Sequence, residues 1–246
     1  MRKSYRELTE EIKTDGERLK LIAALGSSDD LAYHYALISE DWAAGGKLLL
    51  ENSFDRHGEA EIVFLLERLR ALGTASKTDE SAAAGTATDT AYLAAKILSQ
   101  LRHRDFYAAR AKELAALLTA RWEISDIALR RKQIIALGWI GSESEINLLI
   151  DSMQSDSDAL CRAWAAAALM QLSFHGVAAD VLREKTKAAF AAAIQKEGDL
   201  NAAGIMIEAA QTLFGKKWIS AAAAEAAESE SIEKARKSAL RFLGKA

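Results

Sequence analysis

Apolar residues recur at spacings of three and four along almost the whole chain, and the strict alternation of a β-strand is missing. This periodicity predicts helices over residues 4–13, 16–26, 29–38, 40–52, 58–73, 88–102, 105–121, 126–138, 143–153, 158–173, 178–197, 199–215, 217–228 and 231–244. Short polar clusters separate them, among them Gly26-Ser27-Ser28-Asp29, Gly141-Ser142-Glu143-Ser144 and Ser155-Asp156-Ser157-Asp158. Each supplies a helix stop followed by a side chain able to cap the next helix. Thr74 to Asp89 breaks the rhythm, because it is small, polar and low in complexity. It is expected to be an exposed, mobile loop. The helical pattern resumes at Thr90, so residues 1–246 are read as one domain of about seven antiparallel helix pairs.

Internal repetition sharpens this picture. Asp126, Arg130, Leu137 and Gly138 are followed, 32 residues on, by Asp158, Arg162, Leu169 and Met170, with matching apolar columns between them. The Arg-to-Leu-Gly spacing returns at Arg18 with Leu25-Gly26 and at Arg236 with Leu243-Gly244. Weaker copies end at Leu72-Gly73 and Phe214-Gly215, with Leu65 and Ile207 in the arginine column. Helix pairs repeating every 30–45 residues make an α-solenoid. The Asp-x-x-x-Arg helix ending in Ala-Leu-Gly resembles HEAT repeats, particularly the HEAT-like repeats of phycobilisome lyases. The resemblance is clearest over residues 120–175. It implies an all-α solenoid whose second helices line a concave face. Asp and Arg four apart share a helix face and can pair. Asp126 with Arg130, Asp158 with Arg162, and Arg236 are therefore expected to form a structural ladder.

Composition narrows the function. Proline is absent, where about a dozen would be usual, so capping residues must end the helices. The formal net charge is −3, which disfavours a duplex nucleic-acid binder, whose affinity draws on basic excess. The single cysteine, Cys161, cannot form an internal disulfide, which fits a reducing, cytoplasmic setting. No window approaches 18 uncharged apolar residues, so no membrane span or signal peptide is expected.

Candidate chemistry is sparse. None of His34, His57, His103 and His175 is followed by Glu, so the paired His-Glu dipeptides of di-iron HEAT-like enzymes are missing, and no metal or cofactor is expected. Neither a Gly-x-Ser-x-Gly elbow nor a phosphate-binding loop occurs. Cys161 lies among Ala and Leu and is expected to be a buried, inert thiol. Trp122, Asp126 and Arg162 loosely resemble the cleft residues of HEAT-like alkylpurine DNA glycosylases, but Ile205 stands where a further cleft aromatic would fall.

These observations predict a non-catalytic interaction module: a scaffold, an adaptor or an inhibitory, immunity-type binding protein. It would hold a protein or peptide on its concave face. The alternative is an enzyme resembling the glycosylases or the bilin lyases. In helix 199–215, Asn201, Gly204, Glu208 and Gln211 form a stripe on an otherwise apolar helix, and a buried unpaired stripe would be costly. The expected contact residues are Arg131, Lys132, Glu208 and Gln211, with Trp164 and Trp218 as aromatic anchors.

Overall fold

Alanine and leucine at helical spacing, with Ser, Thr or Asp ahead of most runs, dictate what the computed structural model contains. The structure describes residues 2–74 and 80–244. Among them it has helices and no strand: α1 (Tyr5–Glu11), α2 (Asp15–Gly26), α3 (Leu31–Ala43), α4 (Glu59–Thr74), α5 (Glu80–Leu101), α6 (Asp105–Thr119), α7 (Ile127–Ile140), α8 (Ile146–Ser155), α9 (Ala159–Leu172), α10 (Ala179–Lys196), α11 (Leu200–Leu213), α12 (Ala221–Glu225) and α13 (Ser229–Leu243). Two 3-10 segments, Leu50–His57 and Glu143–Glu145, join them. Internal contacts divide the chain into two compact units, Met1–Ile97 and Leu98–Ala246.

Two expectations are corrected in the first unit. The helix expected over 40–52 does not form. α3 runs on to Ala43, Gly45 and Gly46 adopt positive φ, and the chain restarts as the 3-10 segment. Buried Asp41 enforces this turn, accepting hydrogen bonds from Tyr5 Oη (2.7 Å) and the N–H groups of Leu48 (2.9 Å) and Leu50 (3.2 Å). The loop expected over 74–89 is also corrected, since its described part from Glu80 on is helix. Thr74 ends α4, residues 75–79 lie outside the described residues, and Glu80 already begins α5. Alanines at 82–84 favour helix, and buried Thr90 bonds both Thr86 O (2.7 Å) and Tyr35 Oη (2.6 Å), satisfying its hydroxyl inside the core.

Buried His34, Asp41 and Thr90 of this unit are paired, whereas the Ser53 hydroxyl and the Glu61 carboxyl are not. His34 Nε2 lies 3.2 Å from Leu50 O, a pure acceptor, so Nε2 carries the proton and Nδ1 accepts from His57 Nε2 at 2.9 Å. Burial holds the His34 pKa down near 4, which keeps this pair neutral. Glu61 is fully buried and neither carboxyl oxygen has a hydrogen-bond partner. Burial first, then the charge of Asp55, push its pKa up to about 8. The nearby N–H groups of Gly58 and His57 offset this only in part, without reaching hydrogen-bonding geometry.

The second unit is a regular solenoid. α7, α9 and α11 stack side by side as a row of second helices, and α8 and α10 pack behind them. The row is close-packed because its facing side chains are small: Ala163, Ala165, Ala166 and Ala168 of α9 are buried, as are Ala202, Ala203 and Gly204 of α11. At Gly138 of α7 the approach is closest. A Cβ there would stand 2.7 Å from Ala168 Cα, nearer than real atoms come. Buried Gln133 donates to Leu118 O (2.9 Å) and Arg121 O (2.7 Å), satisfying carbonyls at the end of α6.

Two stability predictions arise here. Gly138→Ala should lower stability by about 1–3 kcal/mol, because backbone displacement outweighs the roughly 1 kcal/mol that Ala gains over Gly in a helix. Urea unfolding with an unchanged m-value checks this. Glu61→Gln should stabilise at alkaline pH. Below about pH 4.5 the acid is neutral in both states, and between there and about pH 8 the folded chain must keep a proton that the unfolded chain releases. The variant's advantage should be absent at pH 4 and on the order of 2 kcal/mol by pH 8, read from melts across that range.

Candidate functional site

The second-helix row owes its register to a recurring polar joint. Asp126, Asp158 and Asp199 cap α7, α9 and α11, each accepting a hydrogen bond from the N–H three residues on, at 2.8–2.9 Å. Two residues before the second and third caps stand the carboxylates Asp156 and Glu197, which end α8 and α10. Asp156 accepts from Asp158 N–H (2.9 Å) and, through both oxygens, from Arg130 of the preceding repeat (2.9 Å each). Glu197 does the same with Asp199 N–H (3.0 Å) and Arg162 (2.7 and 2.8 Å). Each guanidinium also donates to the loop carbonyls before its own helix, Ile124 and Ser125 for Arg130, Asp156 and Ser157 for Arg162.

The expected ladder thus exists with different partners. Asp126 does not pair with Arg130, nor Asp158 with Arg162, because each aspartate turns back to cap its helix while each arginine reaches across to the next repeat. Arg236 lies outside this series: its Nη1 donates to Ile194 O (2.9 Å) and Glu197 O (2.8 Å), at the end of α10. Ile207, placed in the arginine column by sequence, is core, since Asp199 sets the register of α11 and puts Ala203 there. Burial pushes Glu197 up, but hydrogen bonds from Arg162 and the Asp199 and Gly198 backbone outweigh it and leave its pKa lowered.

Opposite the face that packs on α8 and α10, the row presents an open surface. Counting from the three caps, equivalent positions are Ala128, Leu160 and Asn201; Lys132, Trp164 and Ile205; Ile135, Ala167 and Glu208. All are half-buried or exposed, while positions such as Ile134, Ala136, Ala163, Ala165, Ala203 and Met206 beside them are buried. Trp164 sits at the middle of this grid. Beside it, Asn201, Ile205 and Glu208 line a groove with Ala221, Ala224 and Glu225 of α12.

The predicted contact residues divide accordingly. Lys132, Trp164 and Glu208 lie on this face. Arg131 is engaged with Asp158, at 3.0–3.1 Å. Gln211 holds the turn after α11, accepting from the N–H groups of Trp218 (2.7 Å) and Ile219 (3.0 Å) and donating to Ile219 O (3.0 Å). Gly204 is buried against Ala224 of α12. Trp218 packs on Phe242, ring centroids 5.8 Å apart, away from the grid. Ile135, Leu160 and Ile205 join the face without having been predicted as contact residues. The 32-residue offset that equates Lys132 with Trp164 was the signal that could have found Ile135 and Leu160, while Ile205 needs the longer step of 41 residues between the caps Asp158 and Asp199.

Residues 80–170 match the family model of HEAT repeats. The chain carries HEAT-like helical repeats. No curated protein and no solved structure matches it. HEAT repeats form helical scaffolds commonly used for protein interaction, and the α7–α9 packing described above lies within and just beyond the matched segment. The residues resembling a glycosylase cleft are engaged elsewhere, Asp126 in its cap and Arg162 with Glu197. Cys161 is fully buried, and burial above all pushes its thiol up to about 11. Among the described residues, no three His, Cys, Asp or Glu side chains gather as metal ligands, and no helix is long and apolar enough to cross a membrane.

The joint at Glu197 predicts a pH signature. Its carboxylate stabilises the fold fully above the unfolded value near 4.5, and that contribution disappears as pH falls through the lower folded value. Glu197→Gln should cost about 3 kcal/mol at pH 7, where it leaves Arg162 without its anion. The difference from wild type should shrink steadily below pH 4.5 in thermal melts.

Proposed function

We propose that the second unit is a non-catalytic docking module, a scaffold, adaptor or inhibitory binding protein, whose open second-helix face takes a segment of another protein. The observation that carries this reading is Trp164, a half-buried tryptophan at the centre of three consecutive second helices, flanked at equivalent positions by Lys132 and Ile205. A large, rigid aromatic ring among half-exposed aliphatic side chains is the usual make-up of an interface hot spot. Lys132 on one side and Glu208 on the other give the face a polar rim of both signs, which selects partners by orientation as well as by apolar burial. The small-residue packing beneath leaves the face rigid, so little ordering entropy opposes binding. Arg131 and Gln211 are held by Asp158 and by the turn after α11, and Trp218 packs on Phe242, so none of the three is assigned to the docking contact.

Affinity capture from the source cell with wild type and a Trp164→Ala/Ile205→Ser double variant tests the reading. The expected result is one or more proteins retained by wild type, depleted at least about tenfold by the variant, with the melting temperature little changed. An identical captured set at equal yield would move the docking site off this face.

A further inference from the structure

Away from the open face, the C-terminal edge of the second unit gathers cations from three elements around one ring. Phe242, near the end of α13, is the hub. Phe214 and Trp218 stand 6.0 and 5.8 Å from it, centroid to centroid. Lys216 of the turn after α11 places its Nζ 4.5 Å from the Phe242 centroid, and Lys187 of α10 places its own at 5.9 Å. Arg183, one turn earlier on α10, donates to Leu213 O at 2.7 Å, which pins it beside the same turn. Lys217 and Arg241 follow and precede these residues in sequence, and both are exposed. Arg183 also has an acidic partner, Asp180 at 2.8 Å. Lys216, Lys217 and Arg241 make no ion pair among the described residues.

In a chain whose formal net charge is −3, this edge is a local positive patch, complementary to an anionic partner. The aromatic rings hold the lysines by cation–π contact and fix the turn, so the charges are presented in a set arrangement rather than on free side chains. We propose that this edge binds an acidic segment of a protein, one with several Asp or Glu residues in sequence. Two features favour this occupant over the other polyanions. Phe242 is already covered by ammonium groups and Trp218 is half-buried against it, which leaves no open ring for a base to stack on. The edge's own rings, Phe214, Trp218 and Phe242, are half-buried against one another, which leaves none of them to insert into a bilayer.

The test is fluorescence anisotropy of the full chain with three labelled probes: an eight-residue peptide alternating Glu and Ser, a twelve-nucleotide single-stranded DNA, and vesicles of phosphatidylcholine with phosphatidylserine. Saturable, salt-sensitive binding of the peptide is expected, weakened about tenfold or more in Lys216→Glu/Lys217→Glu/Arg241→Glu with unchanged circular dichroism. Lys217→Ala/Arg241→Ala, which removes charge without adding any, should weaken it less and in the same direction. Equal peptide binding by wild type and both variants, or binding of the DNA or the vesicles in preference to the peptide, would overturn the proposal.

Discussion

Everything regular in the second unit hangs on a carboxylate placed two residues before a helix cap. Asp156 and Glu197 each accept one backbone N–H from the cap that follows and a guanidinium from the repeat before. One anion therefore fixes both where a helix begins and which helix lies beside it. The guanidinium gains more than the carboxylate, because its remaining N–H groups satisfy loop carbonyls that would otherwise be left without donors. Glu197 is nearly removed from solvent, at 2% side-chain exposure against 23% for Arg162. A charge so placed is tolerable only with its partners present, which makes the joint specific as well as adhesive.

With register fixed, packing follows. Small side chains on facing sides of α7, α9 and α11 let the backbones approach until Gly138 touches Ala168, and dispersion over that interface replaces the bulky core a globular domain would use. The same register aligns Lys132, Trp164 and Ile205 on the remaining face. Trp164 is the one aromatic side chain of the alanine-rich α9. Stability and the candidate docking surface are consequences of one arrangement, which is why the surface should tolerate substitution better than the joint.

Much of this was legible in the sequence, for reasons that differ by residue. Helices could be read because the 3.6-residue period survives in the apolar positions, and Asp126 and Asp158 announced themselves by recurring 32 residues apart. Their partners were not legible. Intrahelical spacing suggests an Asp–Arg pair at i and i+4, but an N-cap carboxylate faces the helix start and a long arginine can reach a neighbour. The triplets Asp156-Ser157-Asp158 and Glu197-Gly198-Asp199 held the answer, an acid two residues before a cap. Gln211 was misread for a related reason: a polar residue on an apolar helix can be satisfied by a turn that returns to it, as Trp218 and Ile219 do. Residues 80–89 were misread because a composition poor in branched side chains suits loops and alanine-rich helix alike. Thr90 meeting Tyr35 across 55 residues of sequence is a tertiary contact that no local pattern carries.

The central claim is that Arg162 and Glu197 act as one inter-repeat unit, and a double-mutant cycle measures it directly. Arg162→Met, Glu197→Gln and the double variant would be unfolded in urea at pH 7. A coupling free energy of about 2 kcal/mol or more is predicted, with each single variant costing more than its share of the double. Coupling within about 0.3 kcal/mol of zero would mean the two residues contribute independently, and the repeat register would then rest on apolar packing alone.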